Sequence, residues 1–213
     1  MAIPPAFTDE DLVLAAAELG RRDPALRRTI EAAGPPLLPG PGETRFASLV
    51  RAIAYQQLAG RAAAAIHGRV VALLPAGVTP EGMLGLTPES LRTAGLSGGK
   101  TASILDLAAK VVDGMVPLEE TASLADEEVV TCLSKVRGIG RWTAQMFLIF
   151  QLRRPDVWPV GDFGVRKGYA RMHGLREVPG PTELLALGDV YRPWRTVAAW
   201  YCWRAAETVV PAG

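Results

Sequence analysis

The run from Leu133 to Ala144, Leu-Ser-Lys-Val-Arg-Gly-Ile-Gly-Arg-Trp-Thr-Ala, constrains the fold more than any other part of this chain. An apolar helix ends, two glycines bracket one aliphatic residue, and a second helix begins near Arg141. Gly138 and Gly140 admit a sharp turn with positive φ at no steric cost, while Ile139 fills the space between the helices. Two uses fit such a hairpin. It is a plain turn between packed helices, or it is an anion site. In the second case the amides of Val136, Gly138 and Gly140 hold one phosphate at the start of a helix whose dipole favours negative charge, with Arg137 and Arg141 beside them. Contacts of that kind position a nucleic-acid duplex without reading its sequence.

The hydrophobic period is helical almost everywhere else. Thr8 precedes Asp9, Glu10 and Asp11 and an apolar stripe of Leu12, Ala15, Ala16 and Leu19, which predicts a capped first helix. Pro24 opens a second helix that Gly34 closes. The Pro/Gly-rich stretch from Gly34 to Gly42 reads as a linker, so a lobe boundary is expected near residue 43. Phe46, Leu49, Val50 and Ile53 give the next stripe, and the Ala-rich run from Arg61 to Leu74 a further helix. Ile104, Leu107, Ala108, Val111 and Val112 repeat the pattern, as do Val129, Val130 and Leu133. No period of two stands out, and the fold class is read as all-α.

At 213 residues the chain buries a core as one domain or two lobes, and 49% hydrophobic with 21% charged residues argues against disorder. The formal net charge is only +1, so a grip on nucleic acid has to come from a local patch and from backbone amides. Cys132 and Cys202 are too few for a four-cysteine iron–sulfur cluster or zinc site and read as buried thiols. No stretch reaches about 18 uninterrupted apolar residues, and no basic region precedes an apolar run at the start. A cytoplasmic protein without membrane contact is expected. His67 and His173 have no second ligand at metal-binding spacing.

Asp162 follows the hairpin, after Trp158-Pro159-Val160-Gly161 and before Phe163-Gly164-Val165-Arg166. It reads as the N-cap of a helix running from about Phe163 to His173. A carboxylate fixed there, near a phosphate-gripping turn, also faces a sugar held by the same strand, and both roles are compatible.

These segments together resemble the helix-hairpin-helix DNA glycosylase superfamily: Leu133 to Phe150, then Val160-Gly161-Asp162. Within it the resemblance is nearest to 3-methyladenine DNA glycosylase II. Arg51-Ala-Ile-Ala-Tyr-Gln-Gln-Leu-Ala, Gly95-Leu-Ser-Gly-Gly-Lys100 and Pro193-Trp-Arg support it in the family's order, from about Phe46 to Trp203. The resemblance implies a two-lobed helical fold with the active-site cleft between the lobes. Residues 43–157 form a helical barrel lobe with the hairpin, and residues 1–42 plus 158–213 form the other. It also implies base flipping and hydrolysis of an N-glycosidic bond, with Asp162 as the catalytic carboxylate. An alkylated purine already carries positive charge and leaves as a neutral base, so a second carboxyl acting as general acid is not required.

By the same resemblance Trp142, Phe163 and Trp203 are pocket positions, whose aromatic faces attract a cationic base. Met146 falls where the family can carry an aromatic residue, while Trp158, Trp194 and Trp200 read as core. Gln57, with Leu58, is similar to the element that enters the gap left by a flipped nucleotide. Arg137, Gly138, Gly140, Arg141 and Thr143 correspond to the DNA-contacting hairpin, and the carbonyls of Ser134, Val136 and Ile139 to a monovalent-cation site. Trp142 stands where bifunctional members carry a Schiff-base lysine, which implies an enzyme without lyase activity. No required cofactor and no iron–sulfur cluster is expected, and the partner is double-stranded DNA met by a monomer. Three functional readings follow: an alkylpurine glycosylase in base excision repair, a related glycosylase for oxidised, deaminated or mismatched bases, and a noncatalytic DNA-binding module.

Overall fold

The computed structural model describes residues 6–58 and 60–207. Among the described residues it holds twelve α-helices and no strand, in agreement with the all-α expectation. The helices are α1 (Asp9–Arg22), α2 (Pro24–Ala33), α3 (Arg45–Tyr55), α4 (Gly60–Ala72), α5 (Pro80–Leu84) and α6 (Pro88–Thr93). They continue with α7 (Gly98–Val112), α8 (Asp126–Leu133), α9 (Arg141–Phe150), α10 (Phe163–His173), α11 (Pro181–Leu187) and α12 (Arg195–Glu207). None of these helices is long and apolar enough to cross a membrane.

Short polar side chains start most of them. Thr8 Oγ1 accepts the Asp11 N–H at 3.2 Å while the Asp11 carboxylate accepts the Thr8 N–H at 2.7 Å, a reciprocal capping box. Asp23 Oδ1 takes the amides of Ala25 and Leu26 at the head of α2. Thr44, Thr79, Thr87 and Ser97 do the same for α3, α5, α6 and α7, each cap contributing about 1 kcal/mol.

The chain divides into two compact units. The first, Pro41–Gln151, carries α3 to α9; the described part of the second, residues 6–40 and 152–207, carries α1, α2 and α10 to α12. The expected second boundary at residue 157 is therefore too late. Gln151 still belongs to the first unit, where its Nε2 donates to the Glu43 carbonyl at 3.1 Å. Arg153 already belongs to the second: its carbonyl accepts the Phe7 N–H at 3.0 Å and its guanidinium meets Asp9 at 2.5 Å. Hydrogen bonds that fix the chain on each side of residue 152 decide the boundary, and no composition change marks them.

In the first unit Phe46, Leu49, Val50 and Ile53 of α3 are buried, as are Ile104, Leu107 and Ala108 of α7. Val112, expected on the same stripe, is 51% exposed because α7 ends there. In the second unit the helical backbones of α10 and α12 nearly touch. A Cβ on Gly168 would lie 1.7 Å from the Cys202 carbonyl oxygen, so no other residue fits without moving a helix.

A buried polar cluster ties the second unit together. Asp23 Oδ2 accepts the Tyr191 hydroxyl at 2.6 Å and faces His173 Nε2 at 2.9 Å, while His173 Nδ1 faces the Tyr169 carbonyl. Burial alone raises the Asp23 pKa, but the hydrogen bonds from Tyr191, His173 and Ala25 outweigh it and hold the carboxyl below its ordinary value. His173 thus has a structural role at the end of α10.

Candidate active site and nucleic-acid interface

Asp162 is the N-cap of α10, its Oδ1 accepting the Val165 N–H at 2.9 Å. The same oxygen accepts the indole N–H of Trp203 at 3.1 Å. Sequence reasoning placed Trp203 as an aromatic wall and missed this bond. Two glycines one turn apart on α10 permit it. Gly168 lets α12 approach, and a Cβ on Gly164 would lie 3.0 Å from both Asp162 Oδ1 and Trp203 Cδ1. The spacing Asp162-x-Gly164-x-x-x-Gly168 is the signal that was available. Phe163, beside the carboxylate in sequence, is 63% exposed and so is not a core residue. Trp158 and Trp200 are core as expected, whereas Trp194 is half-buried with its indole donating to Glu18 at 2.8 Å.

The hairpin differs from expectation in two details. The Val136 N–H is not available for an anion, since it donates to the Leu133 carbonyl at 3.0 Å, and the Val136 carbonyl accepts the Ile139 N–H at 3.1 Å. Only Gly138 uses a positive φ, +76°, and a Cβ there would meet Ser103 Oγ at 2.6 Å. Gly140 is extended and caps α9 with no side chain of its own. Among the described residues the N–H groups of Gly138 and Gly140 meet no acceptor within the protein. Both glycines are exposed, while Ile139 is buried between the helices as its position required.

Helix α7 supports this turn with residues that sequence reasoning did not single out. The Asp106 carboxylate accepts the Arg137 N–H at 2.7 Å and the Lys110 ammonium at 2.8 Å, and Lys110 donates onward to the Lys135 carbonyl at 2.7 Å. Burial raises the Asp106 pKa, but bonds from Lys110 and Arg137 overcome it, and the carboxyl sits below its ordinary value. In sequence Asp106 and Lys110 look like an ordinary surface pair one turn apart.

The remaining predicted contacts separate on exposure. Arg137 is exposed at the turn. Arg141 is exposed too, but its guanidinium grips Glu127 with two bonds of 2.8 and 2.7 Å, so it is already paired within the protein. The hydrogen bond to Glu127 holds the Arg141 pKa above its ordinary value. Thr143 is buried, with 5% of its surface exposed. Trp142, 47% exposed, and half-buried Met146 lie four residues apart on one face of α9. Gln57 and Leu58 protrude after α3, Leu58 being 41% exposed. Along α10, Arg166 and Arg171 are spent on the Pro179 and Ala206 carbonyls, and Lys167 alone of that trio is exposed. The structure thus gathers Asp162, Gly164 and Trp203 in the second unit, and Gln57, Leu58, Trp142, Met146 and the hairpin in the first. Among the described residues no group of His, Cys, Asp or Glu is arranged to hold a metal ion.

Known proteins resemble this chain in sequence and in fold. Residues 50–193 match the family model of the HhH-GPD superfamily base excision DNA repair proteins. The DNA-3-methyladenine glycosylase 1 of Schizosaccharomyces pombe is 38% identical over 165 residues, 76% of this chain and 72% of that protein. The solved structure of the 3-methyladenine DNA glycosylase of that yeast with abasic DNA superposes with a TM-score of 0.80 at 35% identity, covering 89% of this chain and 95% of that one. A Bacillus halodurans DNA-3-methyladenine glycosidase structure gives 0.83 at 36% identity, covering 91% and 89%. By the family match over residues 50–193 and the identity to that yeast enzyme, the chain belongs to the HhH-GPD superfamily of base excision DNA repair proteins.

Proposed function

We propose that this protein is a monofunctional DNA glycosylase that flips alkylated purines, of the 3-methyladenine and 7-methylguanine type, out of the duplex and hydrolyses their N-glycosidic bond. The observation that carries this reading is the fixation of Asp162 by its own helix and by Trp203. As the bond from C1′ to the base nitrogen breaks, its electron pair neutralises the cationic base, and positive charge develops on the sugar. A carboxylate about 4 Å from that charge, at an effective dielectric near 20, stabilises it by roughly 4 kcal/mol. Water then adds to C1′ and loses a proton. The names of the similar proteins support the alkylated substrate.

In the second unit Trp203 and Phe163 flank Asp162 and supply surfaces for the flipped base; in the first, Trp142 and Met146 share one face of α9. A cationic ring gains about 0.5 to 2 kcal/mol of cation–π attraction on an indole face, and a neutral base gains less. Gln57 and Leu58 fill the vacated stack. Gly138 and Gly140, with Arg137 and the amide of Thr143, anchor a phosphate. The carbonyls of Ser134, Val136 and Ile139 are neutral oxygens of the type hard cations take, and a monovalent cation held by them would add positive charge to the anchor. Trp142 at the position of the Schiff-base lysine leaves no amine to form an imine, so strand cleavage is not expected. The enzyme acts on double-stranded DNA as a monomer.

Incubation of the purified protein with methylated duplex tests this reading. Release of 3-methyladenine or 7-methylguanine, with strand breaks only after alkali, is the predicted result. Release of uracil or an oxidised purine alone, strand cleavage without alkali, or no release at all contradicts it.

A further inference from the structure

The loop after α3 closes in a type II turn over Tyr55–Leu58, in which Gln56 at φ −51° and ψ 129° demands a positive φ of the residue that follows. Gln57 has φ +56°, in the left-handed region that non-glycine residues seldom occupy. Its side chain is exposed, so burial does not hold it there. Two backbone bonds shape the turn, Gln56 N–H to the Ile53 carbonyl and Leu58 N–H to the Tyr55 carbonyl, each at 3.3 Å. The Lys100 ammonium closes the end of α3 on the Ala54 carbonyl at 2.9 Å.

One further bond leaves the loop. Gln56 Nε2 donates to the Gly138 carbonyl at 3.0 Å. A carbonyl only accepts, which fixes the orientation of the Gln56 amide. Gly138 is itself locked: its φ is +76°, Ser103 closes the space beside it, and the adjacent Arg137 amide is held by Asp106. The loop that presents Gln57 and Leu58 is therefore tied to a braced point of the phosphate-anchoring turn.

We propose that Gln56 is a positioning residue that couples the phosphate anchor to insertion of Gln57 and Leu58 into the duplex. The inference rests on the glycosylase reading above. Gln56 acts through its neighbours, since its side chain is committed to the protein. A phosphate on the Gly138 N–H and the Gln56 amide on the Gly138 carbonyl grip one braced residue from its two sides, so the anchor and the strained residue next to Gln56 share a fixed frame. A glutamate at this position places a carboxylate against a carbonyl with no proton between them, so Gln56→Glu breaks the tether while keeping the shape.

The test compares affinity for a duplex containing a tetrahydrofuran abasic analogue with affinity for the intact duplex, at one fixed salt concentration. The abasic duplex rewards insertion into an empty stack, whereas the intact duplex reads the anchor alone. In Gln56→Ala and Gln56→Glu the ratio of the two affinities is expected to fall about tenfold, the scale of one hydrogen bond. In a Leu58→Ala background, Gln56→Ala is expected to lower the ratio no further, because both changes act on the same insertion. A 2-aminopurine placed opposite the analogue should report the lost insertion as reduced fluorescence change. Variant ratios within twofold of the wild type, additive effects of the two substitutions, or a wild-type protein that does not discriminate the duplexes would overturn the coupling. If Gln56→Ala does not fold, Gln56→Glu and Leu58→Ala decide the matter. A wild-type protein that releases no alkylated base fails the glycosylase reading instead, and the two failures are separable.

Discussion

Trp203 on α12 and Asp162 at the head of α10 share one carboxylate oxygen, which receives the indole N–H at 3.1 Å and the Val165 amide at 2.9 Å. The cap orients the carboxylate along its own helix, and the indole fixes it from the neighbouring one. In Trp203→Phe the ring surface stays and the N–H is lost. Base excision in single turnover is expected to drop about tenfold, with a melting temperature close to the wild type, because a hydrogen bond to a charged group is removed without opening a large cavity. An unchanged rate would reduce Trp203 to a wall.

That bond depends on how closely the two helices approach. An alanine at Gly168 would put its Cβ 1.7 Å from backbone, which only helix movement relieves. Gly168→Ala is expected to cost about 3 kcal/mol or more, lowering the melting temperature by roughly 10 °C and removing base excision. Gly164→Ala, where the clash is 3.0 Å with side chains, should retain stability better and lose excision selectively. Calorimetry beside the excision assay distinguishes the two.

Arg141 flanks the turn proposed to anchor a phosphate but is held by Glu127, both side chains being more than half exposed. An exposed pair of this kind contributes little to stability. Glu127→Ala frees the guanidinium, and intact-duplex affinity at low salt is expected to rise a few-fold. The slope of log affinity against log salt should steepen by about one unit if Arg141 then takes a phosphate. An unchanged slope would mean that Arg141 does not reach the duplex.

The Asp23 carboxyl is held below its ordinary pKa in the folded chain, burial notwithstanding, by hydrogen bonds from Tyr191 and His173. A depressed carboxyl contributes stability that is present above the unfolded value, about 3.9, and is lost as pH falls through the lower folded value. The melting temperature is therefore expected to fall on acidification below about pH 4. Tyr191→Phe, which removes one of the bonds, should lower stability at neutral pH and flatten that acid dependence. Melting curves from pH 2 to 7 check both.

Local chemistry was legible in the sequence and tertiary chemistry was not. Thr8 and Asp162 mark helix starts because their side chains act on amides three residues away, and Pro24 because its ring presets the φ of the first helical residue. The hairpin was readable for the same reason. Within it, the use of the Val136 amide and the extended state of Gly140 depend on how the turn closes, which residue types leave open. The bonds from Asp106 to Arg137, Gln56 to Gly138 and Trp203 to Asp162 join residues 31, 82 and 41 positions apart, and no periodicity encodes them. The boundary at Gln151 is likewise set by partners distant in the chain.

The proposed glycosylase depends on the Asp162 carboxylate to drive cleavage of the glycosidic bond. Single-turnover release of 3-methyladenine from methylated duplex by the wild type and by Asp162→Asn measures it most directly, since asparagine still caps α10 and still accepts from Trp203. Release by Asp162→Asn is expected to fall at least about a hundredfold, with duplex binding retained. Release by Asp162→Asn at the wild-type rate would contradict that dependence.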